Sequence, residues 1–220
     1  FLPPGRGLWA CGTDIVKKGL GAALNNCGFT STENIDKDFA SPFTFMMDMS
    51  MLGVGIGFDL KGEGKCEIKK PQGEVTVYQI PDTREGWVES LKLLLESYIV
   101  DIHWAENGQS VITFDYSLIR PEGTPIKTFG GTSSGPAPLI ELHKAIRKIL
   151  DKLNKKFITG RAIADIMNLI GVCVVSGNVR RSAQIMFGES TDEEYLDIKN
   201  YKVKPKRGSF GWSTKKSGDC

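Results

Sequence analysis

The sequence is poor in the residues that build metal sites and disulfide frameworks. Its 220 residues include only two histidines and five cysteines, and no two cysteines have the Cys-x-x-Cys spacing of a zinc site. An odd number of cysteines at irregular spacing also does not fit the disulfide framework of a small secreted domain. We therefore expect no metal site, and we expect any cysteine chemistry to be redox or radical chemistry.

Long apolar runs and an excess of charge of one sign are missing too. No apolar stretch approaches the roughly 20 residues of a membrane-spanning helix, and the first residues show no basic segment followed by an apolar one. The 28 lysines and arginines against 26 aspartates and glutamates leave a formal net charge of +2, which does not favour a nucleic-acid surface. These absences predict a cytoplasmic protein without a membrane or nucleic-acid partner.

What the sequence does contain is an alternation of helical and strand patterns. Apolar residues recur at helical spacing in several segments, and Asp82 with Glu85 and Thr191 with Glu194 have the spacing of helix N-terminal capping boxes. Short strand patterns lie between these segments, which predicts an α/β fold. The predicted helices cover 42–52, 139–153, 159–170 and the segments that follow Asp82 and Thr191, and the predicted strands cover 75–80, 111–116, 172–175 and 183–187.

Four short motifs follow one another along the chain. The first is Pro-Pro-Gly-Arg-Gly-Leu-Trp at 3–9 followed by Gly-Thr-Asp at 12–14, and the second is Asn-Asn-Cys at 25–27. The third is Gly-Gly-Thr-Ser-Ser-Gly-Pro at 130–136, and the fourth is Gly-Asn-Val-Arg-Arg-Ser-Ala at 177–183. In this order the motifs resemble those of the ribonucleotide reductases, specifically the adenosylcobalamin-dependent ribonucleoside-triphosphate type. The resemblance runs along nearly the whole chain.

The resemblance implies that residues 1–220 form the front half of the ten-stranded α/β barrel of these reductases. The N-terminal region, the radical-cysteine loop, the second reducing cysteine and the cobalamin-binding part would then lie outside the chain. The implied reaction reduces ribonucleoside triphosphates to 2′-deoxyribonucleoside triphosphates by thiyl-radical chemistry, with adenosylcobalamin as cofactor. A thioredoxin-type reductant and a deoxynucleoside triphosphate effector are implied as partners. The complete protein would be a monomer, and this part alone would not turn over.

By the same resemblance, Cys27 is one of the two thiols that supply electrons to the ribose and end as a disulfide. Asn26 beside it and Arg181 would contact the substrate nucleotide. The other cysteines receive no catalytic role. Cys173 lies in an apolar segment typical of a core, and Cys220 lacks the Asn-Pro-Cys-Gly-Glu-like surroundings of the radical cysteine in the family.

Two glycine-rich loops, 123–136 and 177–182, resemble the segments that couple an effector site to the substrate site. Backbone N–H groups of the first loop precede a helix and can approach phosphate oxygens, and the second loop offers two arginines to phosphates or base edges. The segment 41–52 and the start of the helix after Asp82 also resemble effector-binding segments. The expected effector-binding residues are Asp48, Ser50, Asp82, Arg84, Lys127, Gly130, Ser133, Ser134, Gly177, Asn178 and Arg180.

Residues 61–109 occupy the place of an insertion that builds the effector site within one chain in the monomeric triphosphate reductases. The insertion favours that type over a diphosphate-type large subunit with a separate radical-generating partner, which stays as a less favoured alternative. A further hypothesis is a catalytically silent nucleotide-binding regulatory protein. Such a protein would bind deoxynucleotides tightly as it stands, whereas a reductase fragment would expose unpaired barrel strands.

Overall fold

The structure is a computed structural model that describes residues 5–99, 110–126, 131–176 and 183–198. Helices and strands alternate within these ranges, which confirms the mixed α/β class. None of the helices there is long and apolar enough to cross a membrane. The helices are α1 (Gly5–Ala10), α2 (Asp14–Lys17), α3 (Ser41–Met51), α4 (Arg84–Glu96), α5 (Ala137–Lys152), α6 (Gly160–Val175) and α7 (Glu193–Asp197), with a 3₁₀ turn at Gly21–Leu24. The strands are β1 (Cys27–Thr30), β2 (Gly55–Asp59), β3 (Glu67–Ile68), β4 (Val75–Gln79), β5 (Val111–Asp115), β6 (Lys156–Phe157) and β7 (Gln184–Phe187).

A three-stranded parallel sheet in the order β1-β2-β7 organises the fold. Helices α3 and α6 pack against each other and cover one face of this sheet, where Ile56 and Phe58 of β2 are buried. The opposite face carries Phe29, Ile185 and Phe187, which are all exposed. The described residues therefore show three parallel strands with helices on one side, and the expected ten-stranded barrel is not shown by them.

The region between β2 and α6 builds a second layer from β4, β5, α4 and α5. Strands β4 and β5 run parallel, with Tyr78 opposite Phe114, and α4 lies against both β5 and α5. Helix α4 packs on α3 and α5 packs on α6, so this region is joined to the sheet-bearing part by two helix pairs. A small antiparallel pair, β3 with β6, connects the two parts as well.

The strand predicted at 172–175 is wrong, because these residues form the last turn of α6. A short apolar run does not distinguish a buried strand from a buried helix, and this run continues the apolar side of α6. Position 171 of the helix is a glycine because the Gln184 side chain of β7 crosses the helix there. A Cβ on Gly171 would collide with Gln184 Nε2, which donates to the carbonyl oxygen of Met167 at 3.1 Å.

Both predicted helix caps are wrong by one residue. Thr83 caps α4, since its hydroxyl accepts from the Gly86 N–H at 3.0 Å. Asp192 caps α7, since its carboxylate accepts from the Tyr195 N–H at 3.1 Å. In each case two neighbouring residues can act as a cap, and the predicted position is the first of the two.

Candidate active site and effector site

Cys27 is the first residue of β1 and is exposed. Its partner across the ladder to β2 is Gly55, which has no side chain that could cover the thiol. Two residues further along, Phe29 pairs with Gly57, and the Phe29 and Phe187 rings meet edge to face with their centroids 5.9 Å apart. A Cβ on Gly57 would lie 3.1–3.3 Å from side chains of both flanking strands. Alternation along the strand places the Cys27 thiol on this open face of the sheet.

Cys27 is exposed, whereas two of the other cysteines are buried. Cys66 and Cys173 are buried, and burial raises the pKa of the Cys66 thiol to about 11 and that of Cys173 to about 12. The Cys66 thiol also donates to the carbonyl oxygen of Ile35 at 3.0 Å. Because the thiolate is the reactive form, these two cysteines are poor redox groups. Among the described cysteines only Cys11 and Cys27 are exposed, and Cys220 lies outside the described residues.

Of the two residues expected to contact the substrate, Asn26 lies within the described residues and the other does not. Asn26 is exposed directly before β1, and its carbonyl oxygen accepts from the Gly55 N–H at 2.9 Å. This bond begins the β1–β2 ladder and fixes the backbone that leads into Cys27. Arg181 lies outside the described residues.

A buried carboxylate joins the other ends of β1 and β2. Asp59 accepts from the Ser31 hydroxyl at 2.6 Å, from the Thr32 N–H at 2.8 Å and from the Thr32 hydroxyl at 2.9 Å. Burial by itself raises the pKa of Asp59, but these hydrogen bonds together with one from the Lys61 N–H outweigh it, so the pKa is lowered. Asp59 could not be predicted from the sequence, since a lone aspartate at a strand end gives no signal of its partners.

The structure brings together two of the expected effector residues, Asp48 and Arg84. Arg84 begins α4, and its guanidinium forms ion pairs with the Asp48 carboxylate of α3 and, at 2.6 Å, with Glu85. The pKa of Glu85 is lowered, first by a hydrogen bond from its own backbone N–H; burial opposes this, and the Arg84 charge adds to the lowering. The positive charge at the start of α4 is thus already paired with carboxylates.

A second arginine stands at the same helix end. Arg120 donates to the Asp82 carboxylate at 2.5 Å, and Asp82 lies two residues before α4. Arg120 is not among the predicted effector residues, because it lies outside the motifs that carry the resemblance. The N-terminus of α4 therefore gathers two guanidinium groups, which favour phosphate groups as ligands, and the partial positive charge of the helix end.

The remaining expected effector residues are placed differently. Ser50 is fully buried in α3, with its hydroxyl 3.7 Å from the Met46 sulfur, because two residues of separation turn it to another side of the helix from Asp48. Ser133 accepts a hydrogen bond from the Gly135 N–H at 3.0 Å, and its backbone pairs with Thr124. Ser134 is half-buried beside it. The others, Lys127, Gly130, Gly177, Asn178 and Arg180, lie outside the described residues.

His143 on α5 forms a buried polar network that the sequence analysis missed. The Ser90 hydroxyl donates to the Trp87 carbonyl oxygen at 2.7 Å, so its oxygen accepts from His143 Nε2 at 3.2 Å. The other ring nitrogen, Nδ1, accepts from the Tyr116 hydroxyl at 2.8 Å. One ring proton satisfies both nitrogens, so the ring is neutral. Burial, and then the Arg147 charge, lower the pKa of His143 to about 3.

The described residues offer no free histidine to the cobalt of a cobalamin. Their histidine, His143, has both ring nitrogens engaged by Ser90 and Tyr116 inside the protein. We therefore assign no described residue to cobalamin binding and derive no chemical step through it.

Comparison with known proteins shows what this chain is similar to. Residues 60–150 match the family model of the insertion domain of B12-dependent ribonucleotide reductase, and this match includes the 61–109 segment predicted as an insertion. The crystal structure of a B12-dependent (class II) ribonucleotide reductase has the same fold over 91% of this chain and 34% of that one, with a TM-score of 0.76 and 28% sequence identity.

The matching relatives carry the name of one type of reductase. The chain is 56% identical to the adenosylcobalamin-dependent ribonucleoside-triphosphate reductase of Euglena gracilis, in an alignment that covers 99% of this chain and 29% of the relative. It is 31% identical to the enzyme of that name from Lactobacillus leichmannii, in an alignment that covers 90% of this chain and 33% of the relative. The chain thus spans about a third of the length of these relatives. It is a homologue of one stretch of these reductases, which confirms the resemblance seen in the motifs.

Proposed function

We propose that this chain is one part of an adenosylcobalamin-dependent ribonucleoside-triphosphate reductase. Its role is to supply one reducing thiol, part of the substrate site and an effector-binding insertion. The observation that carries the proposal is the exposed Cys27 at the start of a parallel strand, in a chain homologous to such reductases over 99% of its length. In the overall reaction a ribonucleoside triphosphate and a dithiol give a deoxyribonucleoside triphosphate, a disulfide and water. The two sulfur atoms lose the two electrons that the ribose gains.

The proposed roles rest on the family resemblance, and the exposed position of Cys27 at the start of β1 supports its part in them. Cys27 supplies one of the two sulfur atoms from the open face, and Asn26 contacts the substrate beside it, with Arg181 from the 177–182 loop. A thioredoxin-type protein reduces the resulting disulfide. The complete enzyme acts as a monomer, because an insertion within one chain provides the effector site.

The effector site is proposed at the start of α4. A deoxynucleoside triphosphate binds there through its phosphates, which replace the carboxylate partners of two arginines. Arg84 exchanges Asp48 and Glu85 for phosphate oxygens, and Arg120 exchanges Asp82. Guanidinium groups bind phosphate oxygens in the same bidentate way as carboxylate oxygens. The carboxylates therefore position both guanidinium groups where phosphate oxygens can bind them. The paired backbone of Thr124 and Ser133 holds the base of the loop that carries Lys127 and Gly130.

A segment exchange tests the function of the chain as a whole. The matching 29% of the Euglena gracilis reductase is replaced by this chain, and the corresponding stretch of the Lactobacillus leichmannii enzyme serves as the control graft. We expect the exchanged enzyme to reduce ribonucleoside triphosphates with adenosylcobalamin and a dithiol at no less than about a tenth of the parent rate. A folded exchange without turnover contradicts the proposal, provided that the control graft is active. If the 220-residue chain then still binds deoxynucleotides, the regulatory-protein alternative is favoured.

Arg84→Ala tests the effector site. We expect the affinity of the 220-residue chain for a deoxynucleoside triphosphate to fall about tenfold or more, because a charge-assisted bond to phosphate is lost. Each of the four deoxynucleoside triphosphates is titrated by calorimetry. Lys92→Ala is the matched control, since Lys92 carries the same charge further along α4, in a 3.9 Å pair with Glu96. Equal losses in both variants, or no loss with Arg84→Ala, would contradict the assignment.

A further inference from the structure

Arg6 on α1 donates hydrogen bonds to three backbone carbonyl oxygens from one guanidinium group. Its Nη1 atom binds the carbonyl oxygens of Asn25 at 2.7 Å and Ala23 at 3.3 Å, and its Nη2 atom binds that of Gly53 at 2.6 Å. Arg6 belongs to the first sequence motif, to which the proposed function gives no role. Its three acceptors lie 17, 19 and 47 residues away along the chain.

The acceptors lie at the entrances of two neighbouring strands. Asn25 is two residues before Cys27 in β1, and Gly53 is two residues before Gly55 in β2. The first bond of the β1–β2 ladder, from the Gly55 N–H to the Asn26 carbonyl oxygen at 2.9 Å, lies directly beyond them. Gly53 has a φ of +83°, a conformation that favours glycine and turns the chain from α3 into β2.

We propose that Arg6 is a positioning residue that sets the backbone of Asn26 and Cys27 against β2. This inference rests on the proposed redox role of Cys27. Nη1 fixes the segment that enters β1, and Nη2 fixes the segment that enters β2, so one rigid planar group sets their separation. A thiol that must meet a ribose and a second sulfur depends on such placement, since a displacement of about 1 Å can cost about a hundredfold in rate.

The shape of the guanidinium group explains why arginine serves here. It presents five N–H donors in a fixed plane, and two of its nitrogens bind carbonyl oxygens of two different segments at once. A lysine keeps the charge but has a single nitrogen, which cannot reproduce both contacts in the same geometry. A methionine keeps part of the apolar stem and removes every donor. Arg6→Lys and Arg6→Met therefore separate charge from bridging geometry.

Hydrogen exchange on the 220-residue chain tests the geometric part of the proposal. In Arg6→Met we expect the Gly55 amide to exchange about tenfold faster, because a hydrogen-bonded charge near the ladder entrance is lost. The Thr32 amide, which donates to Asp59 at the other end of the strands, should change by less than about twofold. In Arg6→Lys the exchange rate of the Gly55 amide should lie between those of the wild type and Arg6→Met. Equal acceleration at Gly55 and Thr32 would make Arg6 a general stabiliser and overturn the proposal, and so would unchanged exchange at Gly55.

Kinetics of the segment-exchanged reductase test the positioning part. We expect Arg6→Met to lower kcat about tenfold or more while the KM for the ribonucleoside triphosphate stays within about twofold, with partial recovery in Arg6→Lys. The control is Arg161→Met, which removes an arginine with a 3.7 Å pair to Glu194 and should leave kcat unchanged. An unchanged kcat in Arg6→Met would overturn the positioning role. Should Cys27 itself prove dispensable for turnover, the proposed function fails while the exchange pattern at Gly55 still reports on Arg6.

Discussion

Cys27→Ser is expected to lower multiple-turnover ribonucleotide reduction by about a thousandfold or more in the segment-exchanged reductase. A serine hydroxyl keeps the size of the side chain but cannot form the disulfide in which the reaction ends. The loss should fall on turnover supported by an external dithiol. The measurement is the amount of deoxynucleotide formed per enzyme with thioredoxin or dithiothreitol as reductant.

Cys11→Ser is the matched control for this substitution. Cys11 is the other exposed cysteine among the described residues, but it lies in the turn after α1 and belongs to no strand of the sheet. Its substitution should leave turnover unchanged, whereas substitution of Cys66 or Cys173 would disturb the core. The affinity of the Cys27→Ser enzyme for a deoxynucleoside triphosphate should stay within about twofold of the parent value, because α4 is intact. Normal turnover in the Cys27→Ser enzyme would remove Cys27 from the reaction.

The amphipathic helices could be predicted because their buried faces repeat at helical spacing. In α4 the apolar residues Leu91, Leu94 and Leu95 recur at helical spacing, and all three are fully buried. In α5 the same holds for Leu139 and Ile146. Periodicity reports which side of a helix is buried, and that information is local to the helix. It does not say which element packs against that side.

The last turn of α6 could not be predicted, because periodicity gives no signal in a run of apolar residues. Its apolar run has no polar positions that would set a period, and Gly171 and Gly177 on either side resemble strand boundaries. The actual reason for Gly171 is the Gln184 side chain of β7, which passes where a Cβ would be. A contact with β7, which no local pattern reports, explains this glycine.

For the candidate sites too, the sequence indicated single residues but not the contacts between them. The sequence motifs indicated Cys27, Asp48 and Arg84 one by one through resemblance to a family. The pairing of Arg84 with Asp48 joins residues 36 positions apart on two helices, and no sequence pattern reports it. Ser50 shows the converse, because its neighbour Asp48 is accessible while Ser50 itself points into the core.

His143 shows how a buried group can set the acid stability of the insertion region. Its ring joins α4, through Ser90, with the Tyr116 hydroxyl beyond β5, and it stacks on Phe114 with ring centroids 4.3 Å apart. The pKa of His143 is lowered to about 3, first by burial and then by the Arg147 charge, from an ordinary value of 6.5. Protonation of Nδ1 would break the bond that Tyr116 donates and place a charge in the interior.

The sign of the pH effect follows from these two values. Between about pH 6.5 and pH 3 the unfolded chain binds a proton that the folded chain does not, so the free energy of unfolding rises with pH in this window. The stability due to the neutral ring is complete above about pH 6.5 and declines as the pH falls. From pH 7 to pH 4 the expected loss is about 3 kcal/mol.

His143→Gln should remove this loss, because an amide of similar length does not titrate. We expect the variant to be less stable at pH 7 but to lose about 3 kcal/mol less than the wild type between pH 7 and pH 4. Urea unfolding of the 220-residue chain at several pH values measures both. The comparison cancels other groups that titrate in this range, such as Asp165, whose pKa burial raises to about 6 and whose effect has the opposite sign. If both chains lose the same stability, His143 is already protonated in the folded protein near pH 6, and the neutral ring bridging Ser90 and Tyr116 cannot be correct.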